Sequence, residues 1–197
     1  SMPIDDGHLI LNKEDVETLL RENENNKKFI KKYAGGQEIL KNKERWCLWL
    51  DKISPSEYNK SRIIMERIEK TKEFRKNSER IQTQNLANVP YLFGEIRQPS
   101  SDMLVIPKVS SESRRYIPVS LIGPDVIING SALIIPNANL FTLGLLISNV
   151  HMAWMRTVAG RMKSDYQYSA NVVYNSFPWP DVTEAQKEKI SKTAQAI

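Results

Sequence analysis

Leu140-Phe141-Thr142-Leu143-Gly144-Leu145-Leu146-Ile147-Ser148-Asn149-Val150-His151-Met152-Ala153-Trp154-Met155-Arg156-Thr157-Val158 is the run on which the division of this chain turns. Leu143, Ile147, Val150, Trp154 and Val158 recur at spacings of four, three, four and four, the repeat of one helix face. They predict a single long helix over 139–160. A polar loop with Arg161 and Lys163 follows, then the aromatic, proline-punctuated Phe177-Pro178-Trp179-Pro180. Beyond it, Thr183-Glu184-Ala185-Gln186 matches a capping box and opens a C-terminal helix.

Upstream of that run the texture is different. Pro90, Pro99, Pro107, Pro118, Pro124 and Pro136 separate short β-branched runs at Leu104-Val105-Ile106, Tyr116-Ile117, Val126-Ile127-Ile128 and Leu133-Ile134-Ile135. Such runs read as strands joined by turns. Nearer the start, Asn12 with Lys13-Glu14-Asp15 marks a helix N-terminus. Asn26 to Ala34 reads as a second helical piece ended by Gly35-Gly36, and Arg45 to Leu50 as a Trp-containing strand. Ser56 to Lys76 reads as a long charged helix with one packed side. The expected class is α+β, a small strand-rich core flanked by helices at both ends. The expected division is a helical part over 1–85 with one Trp-rich strand, a strand-rich core with the long helix over 86–180, and a terminal helix over 181–197.

With 197 residues, 41% hydrophobic and 26% charged, the chain can bury a core and is not a disordered polymer. The net charge of +5 is modest but unevenly placed. Between Leu104 and Lys163 the bases Lys108, Arg114, Arg115, Arg156, Arg161 and Lys163 face only Glu112 and Asp125, a local +4. That concentration suits a surface meeting phosphates. Cys47 is the single cysteine; set between Trp46 and Leu48 it reads as a buried inert thiol, in keeping with a reducing cytoplasm. Residues 2–9 carry Asp5, Asp6 and His8 and no apolar run, so no secretory signal is expected there. Leu140 to Val150 is too short to span a bilayer.

Catalytic signatures are missing. No two of the ten prolines are adjacent, so no Pro-Pro-aromatic loop can hold a target amine, and no glycine group has the strand-to-helix spacing of a nucleotide fingerprint. Pro124-Asp125 is followed by no Asp/Glu-x-Lys, as a nuclease would need. His8 and His151 are too isolated for a metal site or a triad, and His151 reads as a packing residue. Catalytic residues and metal ligands expected of this chain are therefore none.

Four phrases carry a family resemblance: Arg45-Trp46-Cys47-Leu48-Trp49-Leu50, Ser111-Glu112-Ser113-Arg114-Arg115-Tyr116-Ile117-Pro118, Lys163-Ser164-Asp165-Tyr166-Gln167-Tyr168-Ser169 and Tyr174-Asn175-Ser176-Phe177-Pro178-Trp179-Pro180. In this order they resemble the C-terminal part of MmeI-type (type IIL) restriction-modification enzymes, which join nuclease, adenine-N6 methyltransferase and target recognition domain in one polypeptide. Gln167 stands where the family pattern carries Arg. The ending is also similar to specificity subunits of type I restriction systems. The resemblance implies a module that recognises duplex DNA and lacks the catalytic domain, with no cofactor of its own and S-adenosylmethionine serving the missing part. Its partners would be double-stranded DNA and a methyltransferase domain, in the same polypeptide or in a partner subunit, with no membrane.

By the same resemblance Glu112 and Arg114 stand at the base-reading pair. An Arg fork matches guanine O6 and N7, and a Glu accepts from the cytosine amine. At spacing i, i+2 on extended backbone the two share a face. The residues alone favour an exposed turn salt bridge contributing about 0–1 kcal/mol, and it is the resemblance that points to base reading. Backbone contacts are expected from Lys108, Arg115, Arg161, Lys163, Ser164 and Tyr168, with Arg161, Lys163 and Ser164 placed after Gly160 at a helix end. A rival reading makes the chain a docking domain for a separate methyltransferase subunit. An exposed apolar stripe along Leu143 to Val158, with no basic face opposite, would favour it.

Overall fold

Asn12 accepts from the Asp15 amide at 2.9 Å, and the Asp15 carboxylate accepts from the Asn12 amide at 2.9 Å, so the first helix begins where its capping residues place it. The computed structural model describes residues 1–196. In chain order the elements are β1 (Ile10–Leu11), α1 (Lys13–Glu22), a 3-10 segment (Glu24–Phe29), β2 (Ile30–Ala34), α2 (Gly36–Lys41), β3 (Trp46–Leu48), α3 (Pro55–Tyr58), α4 (Arg62–Lys76) and α5 (Ile81–Asn85). Then come β4 (Met103–Pro107), β5 (Val109–Ser110), β6 (Ser120–Ile122), β7 (Val126–Ile128), β8 (Ala132–Pro136), α6 (Leu140–Leu146), α7 (Asn149–Val158), β9 (Gly160–Met162), β10 (Asp165–Gln167), a π-helical turn (Ala170–Tyr174) and α8 (Glu184–Gln195). The class is α+β, as expected. Two units are built from alternating segments, one from Ser1–Ala34, Lys43–Gln98 and Asp125–Gly130, the other from Gly35–Asn42, Pro99–Pro124 and Ser131–Ile197.

The first unit holds a four-stranded sheet in the order β1-β3-β2-β7, antiparallel except for β2 beside β7, where Tyr33 pairs with Ile127. Leu9, Leu11, Leu19, Phe29, Cys47, Leu48, Leu50 and Ile127 form its core together with Ile64 and Ile68 of α4. Ile64, Ile68, Thr71 and Arg75 are the buried positions of α4. Their spacing of four, three and four matches the one-sided packing expected of that charged helix. The expected helix over Ser56 to Lys76 is interrupted, because Ser61 accepts from the Ile64 amide at 3.2 Å and caps α4 afresh. Asn26 to Ala34 is also corrected. Only a 3-10 segment forms there, and Ile30–Ala34 is a strand paired on both sides, since cross-strand pairing outweighs a weak helical preference. Cys47 is fully buried, and burial raises its thiol pKa well above the usual range.

The second unit carries two three-stranded antiparallel sheets, β6-β4-β8 and β5-β10-β9. All five residues of β4 are buried, as befits a central strand. Its core joins Leu104 and Ile106 to Leu146, Met152, Met155, Tyr166, Tyr168 and Val173. Two expectations are corrected. Tyr116-Ile117 is loop; Ile117 is apolar because it enters this core, its amide donating to Met152 Sδ at 3.4 Å. The long helix over 139–160 is two helices, because Ile147 leaves the helical path and Ser148 accepts from the His151 amide at 3.1 Å, starting α7. That break resets the helical phase. Val150, assigned to the packed face, is 70% exposed, while His151, Met152 and Met155 are buried. The terminal helix opens on the Thr183–Gln186 capping box as expected. It packs on α6 at Gly144, where a Cβ would stand 2.8 Å from Ile190 Cγ2.

Candidate nucleic-acid interface

The edge strand β5 pairs with β10 (Tyr166 opposite Ser110), and β10 pairs with β9 through a two-residue turn at Lys163-Ser164. Lys163 takes the left-handed region there, with φ 57°. Past Ser110 the chain turns on itself, the Arg114 amide donating to Ser111 O at 3.1 Å, and residues 112–116 are exposed. Continuing the β5–β10 register brings this turn level with the hairpin tip. Contacts bear that out: Arg161 Nη1 lies 3.1 Å from Glu112 Oε2 and donates to Ser164 O at 2.7 Å. The Arg161 guanidinium also stacks 3.9 Å from the centroid of the buried Tyr166 ring. Helix α7 holds the other end of the loop. Tyr116 Oη donates to Asn149 Oδ1 at 2.9 Å, and Arg156 donates to the Arg115 carbonyl.

Each expected site residue thus has a place. Glu112 and Arg114 share one exposed turn rather than a strand, so strand alternation does not align them. Arg114, Lys108 and Lys163 have exposed side chains that meet no partner among the described residues. Arg115 is exposed and lies 5.3 Å over the Tyr116 ring. Arg161, Lys163 and Ser164 belong to a β-hairpin and not to a helix end, because α7 stops at Val158 and Gly160 begins β9. Tyr168 is corrected from backbone contact to packing residue: it is 2% exposed, and its hydroxyl lies 2.9 Å from His151 Nε2. Gln167 is exposed on β10. Asn149, Arg156 and Tyr116, which fasten the loop, were not singled out from sequence. Arg156 was visible only as one of the excess bases, and the Tyr116–Asn149 bond spans 33 residues with no local signal.

Catalytic groups do not converge here. Burial holds the His151 imidazole down to about 4, so it is a neutral packing ring against Phe177 at 4.5 Å. The apolar hollow of about 280 Å³ beside β8 is lined by Ile106, Leu133, Ile135, Tyr168 and Tyr174 among others and has no carboxylate, imidazole or thiol. Among the described residues no group of three or more His, Cys, Asp or Glu could hold a metal, and no helix is long and apolar enough to cross a membrane. The exposed stripe that would favour the docking reading does not form. Of its five residues only Val150 is exposed, and α6 is covered by α8.

The family described as "MmeI, target recognition domain" matches residues 1–181. The chain belongs to that family. Its fold agrees with this membership. A solved structure of the Type IIL restriction-modification enzyme MmeI in complex with DNA superposes with a TM-score of 0.93 at 38% identity, over 99% of this chain and 26% of that one. DNA methyltransferase A of Bacillus subtilis (strain 168) is 34% identical over 197 residues, all of this chain and 22% of that protein. This MmeI-type target recognition domain therefore spans about a quarter of the length of these relatives. Helix α8 lies beyond the residues the family match covers.

Proposed function

We propose that this target recognition domain binds duplex DNA and reads base edges with Glu112 and Arg114 from the loop beside the β9–β10 hairpin. The observation that carries the reading is that turn. It presents, two residues apart and exposed, the acid Glu112 and the guanidinium of Arg114, the latter without a partner among the described residues, with Lys108, Arg115 and Lys163 exposed in the same unit. Arg114 offers the fork that fits guanine, and Glu112 the acceptor that fits the cytosine amine. Lys108, Arg115, Lys163 and Ser164 would contact phosphates and set the register without reading sequence. Methyl transfer, with S-adenosylmethionine as donor, belongs in this reading to polypeptide outside these residues, in a cytoplasmic enzyme. The chain's own glycine-bearing strand-to-helix turn does not fit that cofactor: the Gly36 amide at the start of α2 is already bound by Ser131 Oγ at 2.8 Å, and α2 is only six residues long.

The test is selection from a random duplex library at low and moderate salt, with Glu112→Ala and Arg114→Ala alongside. Enrichment of a short motif, relaxed at one position by each variant, is the expected result. Salt-sensitive binding without a motif would reduce the chain to a phosphate-binding surface, and no binding at low salt would overturn the proposal.

A further inference from the structure

We propose that Arg161 is a positioning residue for base reading and not a phosphate contact. The inference rests on the reading of Glu112 as a base-contacting acid. Glu112 sits on an exposed turn, where a long carboxylate side chain samples many rotamers unless something holds it. Arg161 holds it. Its Nη1 lies 3.1 Å from Glu112 Oε2, and the same nitrogen donates to Ser164 O at 2.7 Å. The guanidinium plane rests 3.9 Å from the Tyr166 centroid. Tyr166 is itself fixed, buried and paired with Ser110 on one side and Arg161 on the other. An exposed ion pair is ordinarily weak because two flexible chains must be frozen together. Here the cation is already frozen by the ring and the carbonyl, so the remaining ordering falls on Glu112 alone.

The atoms divide the work. Oε2 of Glu112 is occupied by Arg161, which leaves Oε1 to accept a hydrogen bond from a base amine. Without Arg161, the cations nearest in sequence are Arg114 and Arg115, either of which would draw the carboxylate away from a base edge. Neutralised by Glu112, Arg161 adds little to the attraction for phosphates. The side chain that would select a base pair is thus aimed by a residue 49 positions away, on strand β9.

The experiment repeats the duplex-library selection with the full chain and Arg161→Ala, Arg161→Lys and Glu112→Ala, and measures the salt slope on a random duplex; thermal melting confirms that each variant is folded. The expected result is that Arg161→Ala relaxes the same base pair as Glu112→Ala, by about tenfold in discrimination, with the salt slope unchanged. Arg161→Lys, which keeps the charge but loses the stacked fork, gives partial relaxation. Uniform weakening on all duplexes, with the slope falling by about 1 and the motif intact, makes Arg161 a phosphate clamp and overturns the proposal. An unaltered motif and affinity overturn it equally. If Glu112→Ala relaxes nothing while Arg114→Ala relaxes one position, the role of Glu112 fails first and this inference falls with it.

Discussion

Five carbonyl oxygens, those of Pro3, Ile4, Leu86, Val89 and Leu92, accept from the guanidinium of Arg75, a side chain with no exposed surface. Every donor of the fork is used, and the cation ties the first residues of the chain to the segment after α5. Replacement by Met leaves the Ile4 and Leu92 carbonyls without a donor among the described residues, each at a cost of about 1–3 kcal/mol unless water reaches it. It also removes one of two bonds from the Pro3, Leu86 and Val89 carbonyls, which keep the Gly94, Val89 and Leu92 amides, at about 0.5–1.5 kcal/mol each. Arg75→Met is expected to lower stability by at least about 3 kcal/mol in urea unfolding, and an unchanged midpoint would show that the segment has other anchors. His151 acts in the opposite electrostatic sense. Burial lowers its pKa from 6.5 to about 4, so between those values the unfolded chain holds a proton that the folded chain does not. Stability is then complete above pH 6.5 and falls as pH drops toward about 4, by about 3 kcal/mol in total. Urea midpoints measured across pH 4–7 should show this slope, and His151→Gln should flatten it; a slope unaffected by the substitution would assign it elsewhere.

Helix–helix contact makes a glycine indispensable between α6 and α8. Alanine is the better helix former by about 1 kcal/mol. Yet a Cβ at Gly144 would meet Ile190 Cγ2 at 2.8 Å, Ala194 Cβ at 3.2 Å and the Ile190 carbonyl at 3.3 Å. Gly144→Ala is therefore expected to destabilise by about 1–3 kcal/mol through overpacking, and limited proteolysis should release α8 sooner; a stabilised variant would mean that α8 shifts at no cost. What could be read from sequence follows the same division between local and distant causes. The caps at Asn12 and Thr183 were legible because each capping box lies within four residues. The break at Ser148 was not, since an apolar repeat continues across it and the cap competes only through one hydroxyl. Val126–Ile128 reads as one more strand of the middle region, but it pairs with Ile30–Ala34, and no local pattern announces which sheet a short buried run will join. Within the candidate site, Glu112 and Arg114 are proposed only through a family phrase, while Arg161 meets Glu112 by strand register.

At the scale of the whole molecule, binding to duplex DNA should follow the number of cations committed to phosphates. Lys108→Ala and Lys163→Ala are each expected to weaken all duplexes alike and to lower the salt slope by about 1. Fluorescence anisotropy titrations at several salt concentrations would measure both, and a changed motif in either variant would instead make that lysine a base reader. The two units of this domain are assembled from six alternating segments, three each, and the chain passes between them five times. That threading has a bearing on inheritance. A single crossover between two related genes, at any internal point, leaves at least one unit with mixed parentage, whose strands and core must then match by luck. Substitution of the codon for Arg114, whose exposed side chain meets no partner among the described residues, disturbs no such partnership. If Arg114 reads a base as proposed, a lineage carrying this architecture acquires new words more safely by spelling changes than by trading halves.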